Sequence, residues 1–305
     1  MKKKLFSVIL IFLFSVGSLF AGAGSTGWFI FRRPQSTTPR APVAVAAVRG
    51  DLSGVLYNPS TLGTLPMREI FLLTESGMAN ELFGGIIYGH PLDVGMGAGI
   101  AAGIMYYDAG RTTLYWVEGG DLKEKTVSIQ RDTMGIISYG QALSEEILVG
   151  ASLKAATSDI AEVESATAFG FDLGFMYFAP FYQGLSFSLA AQNIGTASKF
   201  DKKAEKLPGS IWLGSSYFTD LSDTTYMSVG IDGAYIINDE RMITSLGAVY
   251  GYHQFSANLG YRFNTDEANL HIGLGAFVGS FDLGYSYTPA KYLSDVHRFT
   301  VGYMF

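Results

Sequence analysis

Six ionisable residues share one phase of an otherwise apolar alternation: Lys154, Asp172, Asp232, Arg262, Asp282 and Arg298. Each has at least one large apolar neighbour of the opposite phase, and Arg262 lies between two, Tyr261 and Phe263. Three cations and three carboxylates on one wall can pair across strands, line a polar path or tether a segment, but they make no nucleophile. Residue types suited to bond-making chemistry are poorly placed. His90, His253, His271 and His297 lack metal-ligand spacing, and no Gly-x-Ser-x-Gly elbow is present. The chain has no cysteine, which excludes thiolate catalysis, cysteine metal sites and a disulfide framework. Gly97 to Ala102 reads as a loose G-x-G-x-x-A dinucleotide fingerprint. That fingerprint needs a strand, a tight turn and a helix, whereas Val94 to Tyr107 reads as a single strand. The expectation is therefore no enzyme, no cofactor and no metal.

The elements that must position these charges are strands. In a strand, residues two apart point the same way, so Phe299, Val301, Tyr303 and Phe305 form an apolar stripe opposed to Arg298, Thr300, Gly302 and Met304. The same split recurs in Phe255 to Phe263, in Phe169 to Tyr177 and in Phe281 to Thr288. A chain that is 48% hydrophobic and 14% aromatic with 37 glycines has far more apolar strand surface than one soluble sheet buries. In lipid every backbone polar group must be satisfied within the protein, so strands cross only as a closed barrel. The charged phase then faces inward, since a lipid-facing charge near mid-membrane costs about 2–4 kcal/mol.

The ends agree with that destination. Lys2 to Lys4 precede an apolar run from Leu5 to Phe14 and a small Ala21-Gly22-Ala23 site, the pattern of a cleaved secretory signal over residues 1–23. Removing those three lysines takes the formal charge from −6 to −9, which leaves no basic field for nucleic acid. The terminal stripe ending in Phe305 reads as an assembly signal of a bacterial outer-membrane protein, implying outer-membrane lipid and the barrel-assembly machinery as partners.

Counting back from Phe305 gives about 14 strands: 297–305, 281–288, 270–279, 254–263, 242–252, 225–236, 209–218, 185–194, 167–178, 147–157, 126–142, 94–107, 81–89 and 69–76. The fold class is all-β, a transmembrane up-and-down antiparallel barrel over residues 67–305. With Phe305 at the periplasmic end, the longer and more charged loops fall outside, including 108–125, 195–208 and 288–296. Thr112 to Val117 reads either as an extra strand or as an extension of the outer hairpin. Residues 24–66 are too irregular for barrel strands and are expected to form a short, partly helical plug in the lumen. There Asn58 and Pro59 should cap and turn the chain against the wall, and Asp51 either pairs with a lumen arginine or is solvated. Tyr115, Trp116 and Tyr292 offer an aromatic surface on the outer loops.

Two segments carry a resemblance. Ala41 to Leu65, with Asp51, Asn58, Pro59 and Leu62, is similar to the N-terminal segment shared by FadL-type fatty-acid transporters and the shorter PorV/PorQ family, with Ser60 where those chains usually have alanine. Ala190-Ala191-Gln192-Asn193-Ile194-Gly195 followed by Leu207-Pro208-Gly209 resembles the PorV/PorQ strand, loop and Leu-Pro opening. The resemblance implies a passive channel for small hydrophobic molecules such as fatty acids, gated by the N-terminal segment. Its PorV side implies instead an accessory or shuttle barrel that docks secreted or outer-membrane partner proteins.

Overall fold

The computed structural model describes residues 27–32, 50–77, 81–198, 206–265 and 269–305. The expected signal segment and residues 24–26 and 33–49 of the expected plug lie outside the described residues.

Among the described residues sixteen strands follow one another: β1 (Glu69–Ser76), β2 (Leu82–Leu92), β3 (Ala98–Asp108), β4 (Arg111–Glu118), β5 (Asp121–Ser128), β6 (Gln130–Ala142), β7 (Ile147–Ile160), β8 (Glu164–Phe178), β9 (Leu185–Ala197), β10 (Ser210–Ser222), β11 (Thr225–Ile236), β12 (Arg241–Tyr252), β13 (Phe255–Phe263), β14 (Leu270–Val278), β15 (Phe281–Thr288) and β16 (Val296–Met304). Fourteen of them close an antiparallel barrel in which β1 pairs with β16 and β3 pairs directly with β6. The closing seam runs from Glu69 opposite Met304 to Ser76 opposite His297, and Phe305 N–H donates to the Arg68 carbonyl at 3.0 Å. Closure leaves no strand edge, which is what lipid demands.

Local chemistry sets the ends of the strands. The two-residue connections Gly279-Ser280 and His253-Gln254 join β14 to β15 and β12 to β13, with Gly279 and His253 at positive φ (61° and 51°), as tight hairpins require. Gly95 (φ 61°) and Gly97 (φ 132°) form a turn, so β3 starts at Ala98 rather than at Val94. The expected strand 126–142 is divided at Ile129, whose N–H donates to Gly110 while Ala109 N–H donates to Gln130. These bonds route β4 and β5 into a separate two-stranded hairpin, which settles Thr112 to Val117 as a strand of an extended outer hairpin and not of the barrel.

Inside-outside alternation follows the expected phase. Phe299, Tyr303 and Phe305 are exposed on the outer surface whereas Arg298 and Thr300 are buried inside. The wall's interior is two-sided. Strands β1, β2, β3 and β6 turn Phe71, Leu73, Phe83, Ile87, Met105, Met134 and Ile136 inward, and with residues from 28–65 they form one apolar cluster. The arc from β9 to β16 turns Ser188, Gln192, Ser210, Asp232, Ser245, Asn258, Arg262, His271, Ser286 and Arg298 inward.

Candidate functional site

A barrel of 14 strands is wider than wall side chains can fill, and the N-terminal segment occupies this one. Two short 3-10 helices, Leu52–Leu56 and Pro59–Thr64, lie in it. The second packs on β3, β6, β7 and β8. Each helix is capped by a side chain that precedes it. Asp51 Oδ1 accepts from Ser53 N–H (2.8 Å) and Oγ (2.7 Å), and Asn58 Oδ1 accepts from Ser60 N–H (3.1 Å) and Oγ (2.7 Å). Both caps satisfy donors that a helix start leaves open. Asp51 is buried, so it is neither the solvated residue nor the arginine partner that the sequence suggested; capping its own turn uses the carboxylate locally. Asn58 Nδ2 also donates to the Phe175 carbonyl on β8 (3.2 Å).

The wall makes room for this segment with glycine. A Cβ at Gly174 would overlap Asn58 Oδ1, and Cβ atoms at Gly140 and Gly150 would overlap the backbone of Pro59. Only hydrogen on those three strands permits so close a backbone approach. Leu52 meets Gly89 of β2 and Leu62 meets Gly99 of β3 in the same way.

A second piece, with the short helix α1 (Phe29–Arg32), lies farther along the lumen, on the side remote from Phe305. Gln130 Nε2 donates to the Gly27 carbonyl (2.6 Å), and Ile30 N–H donates to Asp132 Oδ2 (3.3 Å). Phe29 stacks on Tyr107 with ring centroids 5.8 Å apart, and Arg32 pairs with Asp239, at the turn after β11, at 3.1 Å. Trp28 and Ile30 are fully buried. The piece therefore crosses from β6 to the far side of the barrel.

Five of the six inward-phase charges are buried and Asp282 is half-buried; ion pairs join Lys154 to Asp172 and Arg298 to Glu75. Lys154 Nζ is 2.7 Å from Asp172 Oδ2. Arg298 Nε donates to Glu75 Oε2 at 2.8 Å across the closing seam, with a second contact from its terminal nitrogen. Asp232 and Arg262 are buried on the arc from β9 to β16, and Asp282 stands half-buried beside Gly302. Glu75 escaped the sequence reading although it shares the phase of Phe71 and Leu73 on β1, a signal that parity alone would have revealed. Asp132, Gln130 and Asp239 were also missed, because their partners belong to the N-terminal segment.

Outside the barrel wall the β4–β5 hairpin exposes Leu114, Tyr115, Trp116, Val117 and Leu122, and Tyr292 is exposed on the β15–β16 loop. The hairpin is tied to the turn after β7: Lys125 is 3.2 Å from Glu162, and that hydrogen bond, with one from Ser128 N–H, holds the Glu162 carboxyl below its ordinary range. A lipid-facing groove of about 700 Å³ runs over β2, β3, β6, β7 and β8 between Ile86, Ile104, Ile137, Leu153 and Phe169, floored by Ala102, Gly135 and Ala155.

No protein-family model and no curated protein matches the sequence. Solved structures do match. The Pseudomonas putida toluene transporter TodX aligns over 93% of this chain and 96% of its own at 13% identity, with a TM-score of 0.58. The chain has the fold of an outer-membrane β-barrel. A Pseudomonas aeruginosa FadL homologue aligns over 86% of this chain and 96% of its own (9% identity, TM-score 0.55), and the monoaromatic hydrocarbon channel CymD over 85% and 94% (13%, 0.53). The likeness is thus to FadL-type barrels at the level of the fold, and nothing among these matches supports the narrower PorV/PorQ resemblance.

Proposed function

We propose that this protein is a passive outer-membrane channel for small hydrophobic molecules, held closed by its own N-terminal segment. The observation that carries the reading is the apolar inner arc of β1, β2, β3 and β6, on which residues 28–31 and 52–65 lie packed as one hydrophobic cluster. Withdrawing that segment exposes a continuous apolar wall that an uncharged or weakly polar ligand can follow. The opposite arc is lined by polar and charged side chains and gives no incentive for such a ligand to leave the apolar side. The fold shared with TodX, CymD and the FadL homologue supports the same class of cargo. Residues 1–23 act as the export signal, residues 24–66 as the plug, and Phe299, Val301, Tyr303 and Phe305 as the signal read by the assembly machinery. Tyr115, Trp116 and Tyr292 give incoming ligand a first aromatic surface.

The test is uptake of toluene and of a long-chain fatty acid into proteoliposomes holding either the full mature chain or a chain lacking residues 24–65. Faster flux of at least one compound through the shortened barrel is the expected result. Flux no greater than that of protein-free vesicles for both chains, with a stable protein partner recovered from native membranes, would replace this reading with a docking barrel.

A further inference from the structure

Between β8 and β9 the ladder slips: Phe171 pairs with Ile194 but Leu173 pairs with Ala191, so Gln192 and Asn193 together face Asp172. Two residues opposite one make a β-bulge, and Asn193 takes the left-handed conformation (φ 56°), which asparagine tolerates better than most residues. Ordinary alternation would send one of two consecutive side chains to the lipid. Here both are buried inside.

The two amides grip different parts of the N-terminal segment. Gln192 Nε2 donates to the Leu56 carbonyl (3.4 Å) and to that of Tyr57, at the end of the first 3-10 helix. Asn193 Nδ2 donates to the Phe31 carbonyl (3.0 Å) and to Pro208 (3.3 Å). The backbone carries the other half of the device. Asn193 N–H donates to Asp172 Oδ1 (2.8 Å), while its Oδ1 accepts from Lys154 Nζ (2.8 Å). The Lys154–Asp172 pair thus fixes the bulge, and the bulge holds two pieces of chain that are 25 residues apart.

We propose that Gln192 and Asn193 are positioning residues that latch the N-terminal segment in the lumen. The bulge exists to turn both amides toward that segment, and its release is the step that frees the apolar arc. This rests on the proposed channel, but it concerns the segment's position and can be measured without any substrate. The two contacts are separable, since residues 30–31 depend on Asn193 and residues 55–57 on Gln192.

Because the chain has no cysteine, a single reporter thiol can be introduced. In Ile30→Cys and Val55→Cys, both fully buried positions, the labelling rate by a membrane-impermeant maleimide reads opening of each piece. Asn193→Gly keeps the left-handed backbone and the N–H bond to Asp172 while removing the side chain. Gln192→Glu keeps the shape and replaces the amide donors by oxygen facing carbonyl oxygen. Asn193→Gly should speed labelling of Cys-substituted position 30 at least tenfold, and Gln192→Glu that of position 55 by a similar factor, with heat-modifiable mobility showing that both barrels are folded. Folded variants that label no faster than the parent would overturn the latch. If labelling rises but toluene and fatty-acid flux do not, the latch stands and the channel reading is what fails.

Discussion

The Glu75–Arg298 pair allows the inward phase of the wall to be tested energetically. Both side chains are almost fully buried, at 2% and 6% exposure, and the pair bridges β1 and β16, the two strands that close the barrel. Changing Glu75 to Gln leaves the guanidinium buried without its counter-charge. Removing one partner of a buried pair costs about 3–5 kcal/mol, whereas replacing both by apolar groups of similar size is often close to neutral. Glu75→Gln should therefore lose about 3 kcal/mol or more, while the double change Glu75→Leu with Arg298→Met should recover most of the loss. Even 3 kcal/mol exceeds what a surface ion pair contributes, about 0–1 kcal/mol, so the measurement discriminates.

The assay is guanidinium unfolding of the barrel refolded into lipid vesicles, followed by tryptophan fluorescence and by heat-modifiable mobility. At equal m-value, the shift in midpoint multiplied by m gives the loss directly. A single variant within about 0.5 kcal/mol of the parent would refute the argument, because it would mean that water already screens the pair. A double variant that loses as much as the Glu75→Leu and Arg298→Met singles added together would refute it too, since the two charges would then not be coupled.

Strand parity makes most of the fold legible in the sequence. Phe255 to Phe263 and Phe169 to Tyr177 alternate so strictly that a slip of one residue would put Arg262 or Asp172 in lipid, and the barrel has no alternative register. Parity is silent where its period breaks. The Gln192–Asn193 bulge was visible only as a short motif, because a bulge is a relation between two strands and cannot be read from one. The division at Ile129 was hidden for a related reason: residues 126–142 keep their alternation while the chain changes partner from β4 to β3 and β7. Lumen contacts were the least legible. Asp51 looked like a partner for an arginine until its distance of two residues from Ser53 proved decisive, and Gly140, Gly150 and Gly174 gave no hint that they were seats for Asn58 and Pro59.

Other outcomes follow from single residues. Deleting Phe305, which is exposed beside Tyr303 and Tyr88 at ring-centroid distances of 5.6 and 6.5 Å and bonded through its N–H to Arg68, should lower the yield of heat-modifiable barrel in the outer-membrane fraction; full yield would count against its role in assembly. Gly174→Ala drives a methyl into Asn58 Oδ1 and to 2.9 Å from Pro59 Cδ, an overpacking worth about 1–3 kcal/mol, and should raise the labelling rate of a thiol at position 55 without breaking β8. On the β15–β16 loop, hydrogen bonds from Tyr287 Oη (2.6 Å) and Ala290 N–H (3.0 Å) hold the Asp295 carboxyl below its ordinary value. Its folded pKa lies under the unfolded one, so its support is complete above the unfolded value of about 3.9 and fades as pH falls through the folded one. Carboxyl NMR titration of Tyr287→Phe should show Asp295 moving up toward that value, and an unmoved titration would deny the tyrosine its part. The strongest contrast lies one residue apart on β7, where Lys154 is buried inside and Leu153 is 70% exposed outside. Leu153→Arg places on the lipid face the same charge that Lys154 carries within, and near mid-membrane that costs about 2–4 kcal/mol. The loss should appear in vesicles and shrink in detergent, where the head group reaches water. Equal stability in both would mean that Leu153 does not face hydrocarbon, and the phase that places Lys154, Asp172 and Arg262 in the lumen would fall with it.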